Sequence, residues 1–313
     1  MNKDDKIYIA GHSGLVGSAI FRILDKKGFN NLICRSHSAL DLTDQPAVRE
    51  FFRQERPDYV FLAAAKVGGI HANNSHPADF IRDNLLIQTN VIDAAYRSSA
   101  KKLVFISSSC IYPRLAPQPM KEEYLLAGNL EPTTEWYAIA KIAGIKMCQA
   151  YRRQYGFDAI SLVPTNLYGP GDNFNLENSN VLPSLLRKFH EAKTNGKPCV
   201  AVWGTGSPKR ELMHVDDLAD AAAFLMESYN DEEIINVGTG KDNTIIEIVE
   251  IIKEITGFKG EVFFDSTKPD GIPRKLLDIS KINNLGWIPK VSLFEGINST
   301  YQWFLRNLNC IRI

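Results

Sequence analysis

A glycine-rich turn between an apolar strand and a helix constrains the fold of this chain more than any other feature. Residues 11–17 (GHSGLVG) follow the apolar run 6–10 directly and open the helical pattern at 18–27. Glycine permits a tight turn and a close backbone approach to a pyrophosphate, and the helix N-terminus supplies free N–H groups and a positive dipole. An ordinary tight turn could carry the same residues, but the strand–turn–helix context favours dinucleotide binding. The residues predicted to contact the dinucleotide here are Gly11, Ser13, Gly14, Leu15, Val16 and Gly17.

Short apolar runs alternate with helical patterns through the first half of the chain. We expect strands at 6–10, 31–35, 59–64, 103–107 and 159–163, and helices at 18–27, 45–54 and 77–97. Strands separated by helices imply βαβ units. The predicted fold class is therefore α/β, with a doubly wound parallel sheet.

After residue 164 the sequence becomes richer in turns. Segments such as 168–173, 204–208 and 268–271 lie among shorter elements, which indicates a smaller α/β lobe over the carboxyl edge of the sheet. We predict a dinucleotide-binding domain at 1–166 and a substrate-binding lobe at 167–313. The apolar run 234–237 resembles a strand, so we expect the segment 212–238 to return to the first domain.

Composition excludes several classes of protein. The 313 residues carry 36 Lys and Arg against 36 Asp and Glu, so no global field favours nucleic acid or a membrane surface. The five cysteines show no zinc-site spacing and no C-x-x-C, and we expect no metal site. No apolar run approaches the ~20 residues that span a bilayer, and the N-terminus lacks signal-peptide features. We expect a cytoplasmic protein with free thiols.

The end of the second strand bears on the choice of dinucleotide. An enzyme that uses NAD usually has an acidic residue there for the ribose hydroxyls, whereas this chain has Arg35. A cation suits a 2′-phosphate, so NADP(H) is the predicted cofactor, although a solvated loop charge is the alternative for Arg35. Further predicted cofactor contacts are Asp41 and Leu42 beside the adenine, and the small strand-end residues Ala63, Ala64 and Ala65.

Tyr137 and Lys141 form the most informative short pattern. Positions i and i+4 share a helix face, so the phenol and the ammonium point the same way. Free tyrosine titrates near ~10, and a neighbouring cation lowers that value. The pair could then protonate a carbonyl oxygen as hydride reaches its carbon. Such a pair is often simple helix surface, but the Ser107–Cys110 run at a preceding strand end adds hydroxyls for the same carbonyl.

The glycine loop, the strand-end serines and Tyr-x-x-x-Lys, in this order, resemble the extended short-chain dehydrogenase/reductase superfamily. By that likeness Ser108, Tyr137 and Lys141 are the catalytic triad. Further motifs resemble the GDP-L-fucose synthase family: AAAKVGGIHANN (63–74), SSCIYP (108–113), YAIAKIAGI (137–145), PTNLYG (164–169) and PRKLLD (273–278). The resemblance implies a homodimer that acts on GDP-4-keto-6-deoxymannose, epimerises C3 and C5, and reduces C4 with NADPH.

One departure from that family concerns the epimerisation. Cys110 matches the family's base, and a thiolate suits that role. The family's acid is a histidine, where this chain has Asn180, which carries no exchangeable proton at useful pH. Our hypothesis is a C4 reductase for a GDP-4-keto-6-deoxy hexose or heptose with weakened or lost epimerisation. The alternative is a complete synthase in which another group, such as His214, supplies the acid.

A milder departure concerns the 2′-phosphate. Family members tend to have arginines where this chain has Ser13 and His37, so discrimination against NADH is expected to be reduced.

The resemblance also assigns contacts to a GDP-linked keto sugar. Arg210 can fork onto phosphate oxygens, Lys188 and Lys275 are further cations, and Trp203 could stack on the base. The remaining predicted substrate contacts are Ser109, Asn166, Asn180 and Arg274, while Pro164, Asn166 and Leu167 are predicted at the cofactor. Helices over 77–97 and 137–155 resemble those that form a four-helix contact in the homodimers.

Two other classes of protein stay open. A nucleotide-sugar 4-epimerase or dehydratase would retain and regenerate NAD, but dehydratases usually have acidic residues where this chain has Ser109 and Cys110. A dinucleotide-sensing regulator could share the fold, but such proteins commonly lose the Tyr/Lys pair.

Overall fold

The computed structural model describes residues 1–176, 179–268 and 270–308, with only the backbone described at 70 and 71. Its strands are β1 (Ile7–Ala10), β2 (Leu32–Ile33), β3 (Tyr59–Leu62), β4 (Lys102–Ile106), β5 (Ala159–Pro164), β6 (Asn166–Tyr168), β7 (Cys199–Trp203), β8 (Lys209–Arg210), β9 (Leu212–His214), β10 (Ile235–Val237), β11 (Asn243–Thr244), β12 (Glu261–Asp265) and β13 (Arg274–Lys275). Its α-helices are α1 (Leu15–Lys26), α2 (Gln45–Glu55), α3 (Ile70–Ser75), α4 (Pro77–Arg97), α5 (Glu135–Tyr155), α6 (Val181–Thr194), α7 (Val215–Ser228), α8 (Ile245–Thr256), α9 (Ser280–Asn284) and α10 (Leu293–Arg306). None of the described helices is both long and apolar enough to cross a membrane.

The largest sheet of the described residues has six strands, in the order β10-β5-β4-β3-β1-β2. All of its neighbouring strands pair in parallel. This confirms the predicted α/β class and its parallel sheet. Strand β10 pairs with β5, so the chain returns to the main sheet after the smaller elements. The division at residue 166 stays a prediction.

Both faces of this sheet are buried, which explains the continuous apolar runs in the sequence. Successive residues of a strand point to opposite faces. Ile7 and Ile9 pack with α1 and α7 in one hydrophobic cluster. Tyr8 and Ala10 pack in a second cluster against α2, α4 and α5. Loops at the carboxyl ends of the strands are therefore free to form a site.

The first helix begins three residues before the predicted start. Gly14 is its N-cap, so Leu15, Val16 and Gly17 form the first helical turn. The glycine loop thus includes the N-terminus of α1 itself, as a helix-based anion site requires.

The remaining elements build the smaller lobe. Helices α6, α8 and α10 bury Leu186, Ile248 and Phe304 against one another and against Val202 of β7. Three small sheets accompany them: β11-β8-β13, β12-β7 and β6-β9. Strand β6 follows β5 of the main sheet directly and carries Asn166 and Leu167, whereas β8 carries Arg210.

We expect the free energy of unfolding to depend strongly on the buried side chains of the central strands. Phe61 of β3 is fully buried, whereas Phe263 of β12 is 60% exposed. We expect Phe61→Ala to lower the free energy of unfolding by about 3–5 kcal/mol, because it removes buried area and leaves a cavity. Phe263→Ala, the matched control, should change it by less than about 1 kcal/mol. Urea denaturation followed by circular dichroism measures both, and equal losses would contradict the buried position of Phe61.

Candidate active site

The glycine loop lies against the end of β3. Gly11 has φ +85°, and a Cβ there would lie 2.7 Å from the Cα atom of Ala64. A Cβ at Gly17 would lie 2.1 Å from the carbonyl oxygen of Gly11. Only glycine permits these approaches, and the N–H of Gly14 closes the turn by donating to the Gly11 carbonyl at 3.0 Å.

The start of α1 is suited to an anion. Its N-cap, Gly14, makes no side-chain hydrogen bond, and the first turn contains no acidic residue. Free N–H groups and the positive helix terminus therefore face the loop. The small residues Ala63, Ala64 and Ala65 follow β3 next to it. The arrangement fits the pyrophosphate of a dinucleotide.

Where the adenine end of the cofactor is predicted to bind, Arg35 is the cation that the sequence argument assigns to the 2′-phosphate. The Arg35 guanidinium donates to Glu55 Oε1 at 2.5 Å and lies 5.5 Å from the Phe51 ring centroid. The side chain of His37 is 84% exposed, 3.9 Å from Asp41. Glu55 was missed by the sequence argument, because it lies at the far end of α2, and only the fold brings it to Arg35.

Asp41 and Leu42 are held by other partners in the structure. The Asp41 carboxylate accepts from the backbone N–H of Thr43 at 2.9 Å and from its hydroxyl at 2.8 Å. The side chain of Leu42 packs in the core, and its carbonyl accepts from Asn90. Any contact of Leu42 with an adenine would therefore be made through its backbone.

The predicted triad comes together at the end of β4. Ser108 caps a short 3-10 helix, Ser109–Ile111, and its Oγ accepts from the Cys110 N–H at 3.4 Å. Lys141, buried on α5, donates from Nζ to the carbonyl oxygen of Ile106 at 2.8 Å. The same Nζ lies 5.8 Å from the ring centroid of Tyr137. Lys141 thus connects the helix that carries Tyr137 to the strand that precedes Ser108, and the catalytic role of the three residues stays a prediction.

Burial dominates the titration of this pair. It lowers the pKa of Lys141 to about 8. Burial, and to a smaller extent the charge of Cys110, raise the pKa of the Tyr137 phenol, which is opposite to the direction that the sequence argument expects from Lys141. Tyr137 therefore keeps its proton at neutral pH and is a proton donor.

Cys110 lies half-buried beside the same groups. Burial raises the pKa of its thiol, and Lys275, Ser108 and Lys141 oppose that rise. Lys275 on β13 is distant in sequence, yet its effect on the thiol is the largest of the three. The sequence argument assigned Lys275 only to the nucleotide sugar.

Asn180 is the exposed N-cap of α6, and its side chain makes no capping hydrogen bond. Its neighbour at 178 lies outside the described residues. His214 is buried, and both of its ring nitrogens have protein partners: the Asp216 N–H at 3.3 Å and the Ser299 hydroxyl at 3.3 Å. His214 is thus held as a capping group at the start of α7, which disfavours it as a substitute acid.

Among the predicted substrate contacts, Trp203 and Lys188 lie beside each other, and Arg210 lies on β8. Trp203 is 65% exposed, and Lys188 Nζ and Lys268 Nζ lie 5.5 Å and 5.6 Å from its ring centroid. This ring is an open platform rather than part of the core. Arg210 is fixed by its bond to the Ile272 carbonyl at 2.6 Å, with β8 paired to β13.

Other predicted contacts are already engaged. Arg274 forms an ion pair with Asp242 at 2.5 Å. Its register partner on β8 is Lys209, which is not a predicted site residue. Ser109 is buried, and the Asn166 side-chain amide donates to the Glu211 carbonyl at 3.2 Å. Pro164 ends β5, and Leu167 of β6 packs partly into the core.

Glu211 is a further residue that the sequence argument missed. Its carboxylate is fully buried and accepts from the backbone N–H groups of Thr239, Gly240 and Leu277. The sequence feature that could have identified Glu211 is the position of a carboxylate directly after Arg210, within a short apolar strand pattern. In the described residues no group of three or more His, Cys, Asp or Glu could hold a metal.

Comparisons with known proteins identify the family of this chain. The model of the NAD dependent epimerase/dehydratase family matches residues 7–238. GDP-L-fucose synthase 1 of Arabidopsis thaliana is 62% identical over 98% of this chain and 95% of its own length. GDP-L-fucose synthase of Escherichia coli is 54% identical over 98% of each chain.

A solved structure is also similar. The GDP-mannoheptose C4 reductase of Campylobacter jejuni, with NADP bound, has a TM-score of 0.89 and 42% identity, covering 97% of this chain and 99% of that one. The predictions of an NADP-dependent oxidoreductase for a nucleotide-linked 4-keto sugar are confirmed. The chain belongs to the GDP-L-fucose synthase family, within the NAD dependent epimerase/dehydratase family of extended short-chain dehydrogenases/reductases.

Proposed function

We propose that this chain epimerises GDP-4-keto-6-deoxymannose at C3 and C5 and reduces it at C4 with NADPH, as a complete GDP-L-fucose synthase. The observation that carries the proposal is the 54–62% identity to proteins of that name over 98% of the chain. Identity to the C4 reductase with NADP bound is lower, at 42%. The reductase-only hypothesis from Asn180 is therefore the second candidate rather than the first.

The reduction follows from the Ser108, Tyr137 and Lys141 arrangement. The glycine loop, Arg35 and the small residues after β3 would hold NADPH, which would supply the hydride. The Tyr137 phenol, kept protonated by burial, donates its proton to the C4 oxygen. The Ser108 hydroxyl, at the end of β4, is a second donor to that oxygen. Lys141, anchored on the Ile106 carbonyl, supplies positive charge beside the phenol.

The epimerisation uses Cys110. Protons on C3 and C5 are acidified by the neighbouring ketone, so a thiolate can remove one and leave an enol or enolate. A proton then returns to the opposite face of the same carbon, and the configuration inverts. Asn180 can hydrogen-bond a hydroxyl but donates no proton at useful pH, so this step is expected to be slower here than with histidine.

The second candidate, a C4 reductase without epimerisation, is favoured by Asn180 and by the similarity to the reductase named above. Its substrate would be a keto hexose or heptose that already has the required configuration at C3 and C5. The two candidates share the triad and the cofactor site, so they differ only in proton exchange at carbon.

We propose that the nucleotide of the substrate binds in the smaller lobe. Arg210 and Lys188 provide cations for the diphosphate. The exposed Trp203 ring can stack on a purine. Lysines flank this ring, which favours an anionic ligand over an apolar one.

We further propose a homodimer through α4 and α5. The two helices pack against each other on one face of the sheet, and large apolar side chains stay exposed on them, including Leu86, Trp136 and Tyr155. Location in the cytoplasm stays a prediction.

The dimer has a direct test. Sedimentation equilibrium should give twice the chain mass of 35.1 kDa. We expect Leu86→Lys to shift the population toward monomer, because a charge would be buried in the contact. Phe263→Lys, at a more exposed position outside these helices, is the control. A monomeric wild-type protein would contradict the proposal.

Turnover in deuterated water separates the two candidate functions. With NADPH and GDP-4-keto-6-deoxymannose, we expect GDP-fucose with deuterium at C3 and C5 by NMR. Asn180→His should accelerate the exchange by about tenfold or more, because general acid catalysis contributes about 10²–10⁴-fold. Reduction at C4 should change little.

Ser179→His is the matched control, since it places the imidazole one residue away and should not accelerate exchange. Reduction without any deuterium at carbon would contradict the main proposal and support the second candidate.

Cofactor preference depends on Arg35 and its partner. We expect Arg35→Met to lower kcat/KM for NADPH by about tenfold or more, because a hydrogen bond to a charged group contributes about 1.5–3 kcal/mol. The value for NADH should stay within about threefold. Glu55→Gln should raise the preference for NADPH, since it releases the guanidinium. Arg53→Met, on the same helix and paired with Glu50, is the control. Equal losses with both cofactors would contradict a 2′-phosphate contact.

A further inference from the structure

The exposed Trp203 ring lies where two turns of the smaller lobe meet. Trp203 is the last residue of β7, and its register partner on β12 is Asp265. The N–H of Gly204 donates to the Asp265 carbonyl at 2.9 Å, and the N–H of Lys268 donates to the same carbonyl at 3.1 Å. The Lys268 Nζ lies 5.6 Å from the Trp203 ring centroid. The Asp265 carbonyl therefore anchors both of the turns that meet at this ring.

Asp270 joins the two turns a second time, through its side chain. Its Oδ1 accepts from the Thr205 N–H at 2.7 Å, and its Oδ2 accepts from the Thr205 hydroxyl at 2.9 Å. Gly204 has φ +83°, and a Cβ there would clash with Asp270 Oδ1. Only glycine permits so close an approach by the carboxylate. Both carboxylate oxygens of Asp270 are thus engaged within two residues of Trp203.

The backbone beside Asp270 holds the Arg210 guanidinium. Nη1 donates to the Ile272 carbonyl at 2.6 Å and to the Lys209 carbonyl at 2.9 Å, and Nη2 donates to the Asp270 carbonyl at 3.4 Å. The Nε–H of Arg210 has no acceptor among the described residues. The Nε–H and the second N–H of Nη2 can therefore bind two phosphate oxygens together.

We propose that Asp270 is a positioning residue for the nucleotide of the substrate. By binding Thr205, it fixes the backbone that orients Arg210 and places the Lys268 ammonium beside the Trp203 ring. This role rests on the proposed function, because it takes Trp203 and Arg210 as the contacts of the purine and the diphosphate. Asp270 acts through these residues and is not itself a ligand contact.

The physical gain is preorganisation. Arg210 and Lys268 are long side chains, and ordering such side chains when a ligand binds lowers the affinity. The contacts of Asp270 order the backbone around both side chains before the ligand binds. A carboxylate also repels a diphosphate, so its position among these cations opposes binding unless the order that it provides is worth more.

Calorimetric titration of the full chain with GDP, in saturating NADPH, measures this role without turnover. We expect Asp270→Ala to raise the Kd for GDP by about fivefold or more, because Arg210 and Lys268 then have to be ordered on binding. The Kd for NADPH should stay within about twofold, because the predicted cofactor contacts lie on other elements.

Substitutions at Thr205 give a matched pair. Thr205→Val removes the hydroxyl and should raise the Kd for GDP, whereas Thr205→Ser keeps the hydroxyl and should bind GDP as the wild type does. In the Asp270→Ala background, Thr205→Val should have no further effect, since the two residues act as one unit. If Asp270→Ala does not fold, the Val and Ser variants of Thr205 carry the test.

Asp231→Ala is the control for a general loss of charge. The Asp231 carboxylate accepts from the Glu233 N–H at 3.1 Å in the turn before β10. We expect this variant to leave the Kd values for GDP and NADPH unchanged.

The outcomes separate this role from the proposed function. If the wild type binds GDP and Asp270→Ala binds it equally well, the role of Asp270 is overturned while the nucleotide assignment stands. If the wild type does not bind GDP, both are overturned. Equal losses of GDP and NADPH binding in Asp270→Ala would overturn the role in favour of a general structural one.

Discussion

The burial of both faces of the parallel sheet fixes the location of everything else in this protein. Helices cover the Ile7 and Ile9 side and the Tyr8 and Ala10 side alike, so neither face is open to a ligand. Parallel strands also end at one common edge. The glycine loop after β1, the alanines after β3 and Ser108 after β4 meet there because no other surface of the sheet is available.

Desolvation is the second constraint on the site. Buried ionisable groups are costly unless partners compensate for the lost water. Lys141 has the Ile106 carbonyl, and Glu211 has three backbone N–H groups. Burial raises the pKa of Tyr137 and so keeps its phenol protonated, and it likewise opposes formation of a thiolate at Cys110. The same dry surroundings therefore suit the proposed proton donor and oppose ionisation of the proposed epimerisation base.

Overall similarity and local departures point in different directions here. Identity of 54–62% to GDP-L-fucose synthases averages over the whole chain. The proton-transfer chemistry depends on a few atoms, and Asn180 changes one of them. At the predicted cofactor end, the Arg35 guanidinium is paired with Glu55. If Arg35 contacts the 2′-phosphate as we propose, this ion pair within the protein competes for the same guanidinium.

Local patterns in the sequence were sufficient for the α/β class and the glycine turn, and they predicted that Tyr137 and Lys141 share a helix face. Each depends on a short-range rule: apolar runs, the φ freedom of glycine, or the i, i+4 spacing of a helix. The sequence did not predict the pairing of Arg35 with Glu55, the occupied nitrogens of His214, or the direction of the Tyr137 shift.

The pairing of Lys275 with Arg210, and the contacts of Glu211 and Asn236 with the segment after Lys275, join parts of the chain that are distant in sequence. These features depend on groups that are far apart along the chain and on how much water burial removes. Packing sets both quantities, so only the tertiary structure could decide them.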